Sequence, residues 1–191
     1  MSVLDRAHDL LGRELTSHGV TVRITEVEAY GGVTDPASHA FTRTARSEIM
    51  YGPPWRLYVY RIHGHHCANI VTGPSEQAAA VLLRAGEVVD GIEVARGRRG
   101  EVAHEALGRG PGNLARALGI TLTDLGTDVR IGPAVLLGER PGDVPVSAGP
   151  RVGVRRAADR PWRLWVTGDP TVSAYRRHAR AESSSAESSP G

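Results

Sequence analysis

Glu28 and Tyr30 stand two residues apart at the end of the run VTVRITEVEAY, residues 20–30. A carboxylate can take a proton from water, and a phenol ring offers a flat face for stacking. The run alternates Val20, Val22 and Ile24 with Thr21, Arg23 and Thr25, the pattern of a half-buried strand. Period two puts Glu28 and Tyr30 on one face, and Gly31-Gly32 ends the strand. A surface acid beside a packing tyrosine has the same local pattern. The pair therefore needs partners elsewhere in the chain before it implies chemistry.

Three further residue sets supply candidates. His39 lies in a long loop over 31–48, after an Asp35-Pro36 turn, and Arg43 and Arg46 make that loop positive. Loops of this length inside compact domains are commonly functional. Residues 55–62, WRLYVYRI, alternate and are rich in aromatic and β-branched side chains, which predicts a strand carrying Tyr60. His63-Gly64-His65-His66 reads as a tight turn, and the return strand starts at Cys67 and carries Asn69. Arg84 interrupts the apolar run AAAVLLRA at 78–85; a buried arginine must find a partner or line a cavity.

The elements that must hold these residues are short. Leu4, Ala7, Leu10 and Leu11 form a helical stripe stopped by Gly12. A helix is predicted over 88–99, and another over 113–118 behind GRGPG, which lacks the lysine and hydroxyl of a P-loop. Strands are predicted over 129–137, 152–155 and 162–166, and a short helix over 172–180. Trp162 and Trp165 are expected to pack in the core. Residues 1–180 read as one α+β domain with a mainly antiparallel sheet and peripheral helices, followed by a Ser/Glu-rich, disordered tail over 181–191.

Composition narrows the function classes. The 191 residues can bury a core without staples, and the single cysteine, Cys67, excludes an internal disulfide and a multi-cysteine zinc site. Every apolar run is too short to cross a membrane, and acids within the first ten residues argue against a secretory signal, so a reducing, cytosolic setting is expected. Net charge is +2, with 23 arginines and no lysine. No side chain can form a Schiff base, while arginine suits phosphate contacts and ring stacking.

In order and spacing these features resemble the alkyladenine (3-methyladenine) DNA glycosylase family. The matching strings are EVEAYGG (26–32), DPASHA (35–40), RTARSEIMYGPP (43–54), LYVY (57–60), GHHCANIV (64–71), AAVLLRA (79–85), GPGNLARALGI (110–120), RVGV (151–154) and PWRLWVTGDPTVS (161–173). The resemblance implies a curved sheet with a protruding, DNA-inserting hairpin. It implies that Glu28 deprotonates the water attacking the sugar, and that Arg84 holds that water and the flanking phosphate. Tyr30 would stack on one face of a flipped purine, His39 and Tyr60 on the other, with Asn69 at the pocket floor and Arg43 and Arg46 on DNA. The substrate would be double-stranded DNA with damaged purines, met by a monomer without a cofactor at a bacterial nucleoid. Family members carry a tyrosine at the hairpin tip within a Y-G-M pattern; here the interval is one residue shorter, and His63 stands as the wedge. Asn113 replaces a frequent lysine.

Two other readings compete. His63, His65, His66 and Cys67 could ligate zinc or copper, but neighbouring residues on a hairpin point to opposite faces, and a zinc deaminase needs a second cysteine. A non-catalytic DNA-damage-binding protein of the same fold would show most of the same strings.

Overall fold

A computed structural model describes residues 1–182. The expected tail lies outside the described residues from position 183 onward. Eleven elements carry the fold: α1 (Val3–Leu10), β1 (Glu14–Ser17), β2 (Val20–Tyr30), β3 (Leu57–Ile62), β4 (His65–Val71), β5 (Ala80–Asp90), α2 (Ile92–Arg99), α3 (Pro111–Leu118), β6 (Ala134–Leu137), β7 (Val146–Gly149) and β8 (Arg163–Val166). All strand pairings are antiparallel, in the order β3-β4-β5-β2-β1-β6, with β8 also on β2 and β7 on β8. This is the single-sheet α+β architecture expected from the sequence.

β2 is the axis of the sheet. Its first residues pair with β1, and Glu26 to Glu28 pair with β8 instead, while β5 runs along its other edge throughout. The change of neighbour coincides with bulges. Thr25 on β2 and Arg84 on β5 have no opposite number, because Glu26 faces Ala85 while Val27 faces Leu83. Bulges increase local twist and re-aim side chains. Here they let two strands share one edge of β2 and turn Arg84 toward the carboxylates.

Alternation splits the sheet into two chemistries. Val27, Ala29, Leu57, Val59, Ala68, Ile70, Val81 and Leu83 belong to the main apolar core with Leu10, Leu114 and Leu118 of the helices. The intervening residues, Glu28, Tyr30, Tyr58, Tyr60, Cys67, Asn69 and Leu82, line a cavity on the opposite face. Both faces of β2 are therefore covered, which is why it is nearly all buried despite its polar residues. A smaller apolar cluster of Ala40, Met50, Tyr51, Tyr58 and Ala80 seats the 31–54 segment beside the cavity. Gly32 makes that segment's close approach possible: its φ is +62°, and a Cβ there would lie 1.9 Å from the Ala78 carbonyl oxygen.

Several expectations are corrected. The helix predicted from 88 begins at Ile92, because β5 continues to Asp90, pairing with Thr21, before Gly91 turns with φ +71°. The strand predicted over 129–137 spans only Ala134–Leu137. No strand forms over 152–155: Gly153 has φ +68°, and the Val152 N–H is taken by a side chain. No helix forms over 172–180, where the Ser173 N–H goes to Glu26 rather than to a carbonyl one turn back. The tight turn at the hairpin is His63-Gly64 alone, since Ile62 pairs with His65. Strands β1 and β7 were not anticipated. Among the described residues no helix is long and apolar enough to cross a membrane.

Candidate active site

The cavity has a volume of about 580 Å³, within the range of sites that enclose small molecules. Its floor is one row across four strands: Glu28 on β2 faces Leu82 on β5, Leu82 faces Asn69 on β4, and Asn69 faces Tyr58 on β3. The next row places Tyr60 opposite Cys67. Antiparallel register thus brings together residues from positions 28 to 84 that are far apart in the chain.

Glu28 is fully buried at this floor. Its Oε2 accepts from the Tyr30 hydroxyl at 2.8 Å, and its Oε1 accepts from the Val152 N–H at 2.7 Å. Arg84 Nη1 lies 3.4 Å from Oε1. Behind Glu28, on the same face, sits Glu26, also fully buried; it accepts from Arg84 Nε at 3.0 Å, Arg163 Nε at 2.5 Å and the Ser173 N–H at 2.8 Å. Burial alone would push the Arg84 pKa down, but Glu28 and Glu26 together overcome it and raise it. Arg84 is thus a fixed cation clamped between two carboxylates.

Tyr30 forms one wall. Its hydroxyl pKa is held well above the ordinary value by desolvation, then by the Glu28 charge, so it donates and does not ionise. Its ring is backed by Arg151, whose Cζ lies 4.7 Å from the ring centroid. Arg151 is fully buried; it pairs with both oxygens of Asp35 at 2.5 and 2.8 Å and donates to the Ala29 carbonyl at 2.9 Å. Asp35 also accepts from the Gly31 and Ala37 N–H groups. One buried ion pair therefore ties together the end of β2, the start of the His39 loop, and the segment whose Val152 N–H holds Glu28.

Three further ring side chains, His39, Tyr58 and Tyr60, line the same cavity. His39 meets Tyr60 edge-on at 4.7 Å between centroids, and its Nδ1 lies 3.1 Å from the Tyr58 hydroxyl. Tyr58 and Tyr60 are 5.6 Å apart. Partial burial and then the Arg46 guanidinium lower the His39 pKa, which keeps the ring neutral. The Asn69 side-chain N–H donates to the Tyr58 carbonyl at 3.0 Å.

Glu28, Tyr30, His39, Tyr60, Asn69 and Arg84 all line the one cavity. Sequence reasoning missed Tyr58, Cys67, the Val152 N–H, Glu26 with Arg163, and the Arg151–Asp35 pair. Tyr58 and Cys67 could have been found, since each stands two residues from a named neighbour on a strand. Arg43 is not free: it bridges Glu48 and Glu76 at 2.6 and 2.7 Å. Arg46 has its Cζ 5.1 Å from the Tyr60 ring. His63 sits outside the cavity at the hairpin end, while Ile62, 44 % exposed, lines its rim. Among the described residues no three His, Cys, Asp or Glu side chains converge as a metal site; register sends His66 to the face opposite His65 and Cys67.

The single antiparallel sheet thus buries an acid, Glu28, in a cavity lined by aromatic side chains. A family model described as methylpurine-DNA glycosylase matches residues 1–170, and the chain belongs to that family. It is similar to proteins named "Putative 3-methyladenine DNA glycosylase" from three mycobacteria. Identity is 53% over 184 residues for Mycobacterium tuberculosis H37Rv, covering 92% of this chain and 90% of the relative. It is 54% over 188 residues for Mycolicibacterium paratuberculosis K-10, covering 93% and 91%. For Mycobacterium leprae Br4923 it is 51% over 185 residues, covering 92% and 86%.

Proposed function

We propose that this protein removes alkylated or deaminated purines from double-stranded DNA by hydrolysing the N-glycosidic bond and leaving an abasic site. The observation that carries this reading is a fully buried Glu28, held by the Tyr30 hydroxyl and the Val152 N–H, in one cavity lined also by Tyr30, His39 and Tyr60. A base inside a duplex is out of reach, so it must be extruded at a cost of a few kcal/mol; stacking on aromatic rings returns about 1–3 kcal/mol.

Both Glu28 oxygens are occupied in the free protein. Each oxygen keeps a second lone pair with which to engage a water beside these donors. Glu28 then takes the proton as the water oxygen bonds to C1′ and the bond to the purine nitrogen breaks. A purine made cationic by alkylation at N3 or N7 leaves as a neutral base, whereas an uncharged lesion such as hypoxanthine leaves as an anion that takes its proton from solvent. General-base help of this kind is worth roughly 10²–10⁴-fold. Arg84 binds the flanking phosphate, Asn69 at the floor disfavours undamaged guanine through its exocyclic 2-amino group, and the hairpin ending in His63 fills the gap in the duplex. Arg46 and Arg43 face DNA, Arg43 only after loosening its ion pairs. The substrates are 3-methyladenine, 7-methylguanine, hypoxanthine and ethenoadenine, met by a monomer at the bacterial nucleoid.

Duplex oligonucleotides carrying hypoxanthine or ethenoadenine, followed by alkaline cleavage of abasic sites, test the reading. Product is expected from the native chain. Glu28→Gln keeps the packing but cannot take a proton, and should lose at least 10²-fold in single-turnover rate while still binding the duplex. Retained activity in that variant would remove Glu28 from the reaction.

A further inference from the structure

Arg46 differs from Arg43, the other arginine of its loop. Arg43 is neutralised by Glu48 and Glu76, whereas Arg46 has no carboxylate partner among the described residues; its guanidinium stands over the Tyr60 ring at 5.1 Å. The same guanidinium lies beside the Tyr58 hydroxyl and draws its pKa back down against the rise caused by burial. The Tyr58 hydroxyl is in turn 3.1 Å from His39 Nδ1.

The direction of this chain follows from what each group can do. Arginine only donates. A guanidinium that donates to the Tyr58 oxygen leaves the phenol proton to point at His39 Nδ1, which then accepts. In a neutral imidazole the other nitrogen then carries the hydrogen. In that arrangement His39 is the Nε2–H form, a neutral donor lining the cavity. The charge on the two stacking rings is also decided. Arg46 occupies a face of Tyr60, and Arg151 occupies a face of Tyr30. The quadrupole of each ring that could attract a cationic base is already engaged by a guanidinium. The cavity lining adds Arg84, held between Glu26 and Glu28, and Arg155 and Arg156, which share Glu182.

We propose that Arg46 is a specificity-determining residue, which biases the slot toward damaged bases that are uncharged and present a hydrogen-bond acceptor to His39. The inference rests on the glycosylase reading and refines its substrate class. Ethenoadenine and hypoxanthine have the favoured chemistry, and cationic 7-methylguanine has the disfavoured one. A second role for Arg46, as a plain phosphate contact, makes a different prediction: it weakens all substrates alike and lowers the salt slope by about one charge.

The test compares excision of hypoxanthine and 7-methylguanine, corrected for spontaneous loss, by the native chain and by Arg46→Gln. The ratio of kcat/KM for hypoxanthine over 7-methylguanine is expected to fall about tenfold in Arg46→Gln. Nitrogen-15 NMR of the free protein gives a readout independent of turnover. His39 should be in the Nε2–H form in the native chain and a mixture of tautomers in Arg46→Gln. Tyr58→Phe should mix the tautomers too, while leaving the cation on Tyr60. An equal loss for both lesions, with an unmixed His39, overturns the specificity role alone. A native chain that excises neither lesion overturns the glycosylase reading, and this refinement falls with it.

Discussion

At the scale of residues, the site is set by how many groups hold each charge. Glu28 shares its floor with Tyr30, which has two separable functions: a ring that forms the wall and a hydroxyl that occupies Glu28. Tyr30→Phe keeps the ring and frees one carboxylate oxygen, so its single-turnover rate should stay within about threefold of native. Tyr30→Ala removes the stacking face and should lose roughly 10–100-fold, matching about 1–3 kcal/mol of base stacking. A large loss in Tyr30→Phe would mean that the hydroxyl is needed during the reaction. The Arg151–Asp35 pair is a different case, since both partners are fully buried. Asp35→Asn leaves the guanidinium without its counter-charge, and denaturant unfolding should show a loss of about 3–5 kcal/mol. Glu28, Tyr30 and Arg84 were legible in the sequence because a polar group inside an apolar alternation is conspicuous. Arg151 was not. It sits in an irregular segment with no period to violate, and its partner is 116 positions away.

At the scale of elements, the hairpin is the point where this chain departs most from the pattern it resembles. His63 and Gly64 have φ of +47° and +82°, as a two-residue turn of the type that matches strand twist requires. Glycine accepts that conformation freely, whereas histidine adopts it at some cost. His63→Asn should therefore stabilise the tip, while His63→Tyr adds stacking area at a position that resists it. If the tip is the wedge, His63→Tyr should tighten binding to lesion-containing duplex, and equal binding would show that the tip does not enter the stack. Strand pairing β3–β4 was readable from its aromatic alternation. The bulge at Arg84 and the handover of β2 from β1 to β8 were not, because both depend on which strands share an edge. The same dependence hid β1 and β7, four-residue strands whose pairing is supplied entirely by their neighbours. The false helix over 172–180 failed where Glu26, distant in sequence, captured a backbone N–H.

At the scale of the whole molecule, the two faces of one sheet divide the labour. The helical face carries the apolar core and the other carries the slot. Chemistry is bounded by composition. With 23 arginines and no lysine, no side chain can attack an abasic sugar as an imine-forming amine. Excision should leave the DNA strand intact until alkali is added, and borohydride should trap no side-chain adduct; strand breaks without alkali would contradict this. Binding through arginines should weaken steeply with salt, log K falling linearly with log salt concentration.

The single thiol of the chain, Cys67, is buried in the cavity wall opposite Tyr60. Desolvation pushes its pKa up, so a thiol reagent should label it slowly at neutral pH and faster as pH rises. With no second cysteine to confuse the signal, the labelling rate becomes a clock for how often the slot is open. Duplex DNA that inserts a base should stop that clock, and undamaged duplex should leave it running. The protein thus carries its own occupancy gauge, readable by mass spectrometry without any engineered label.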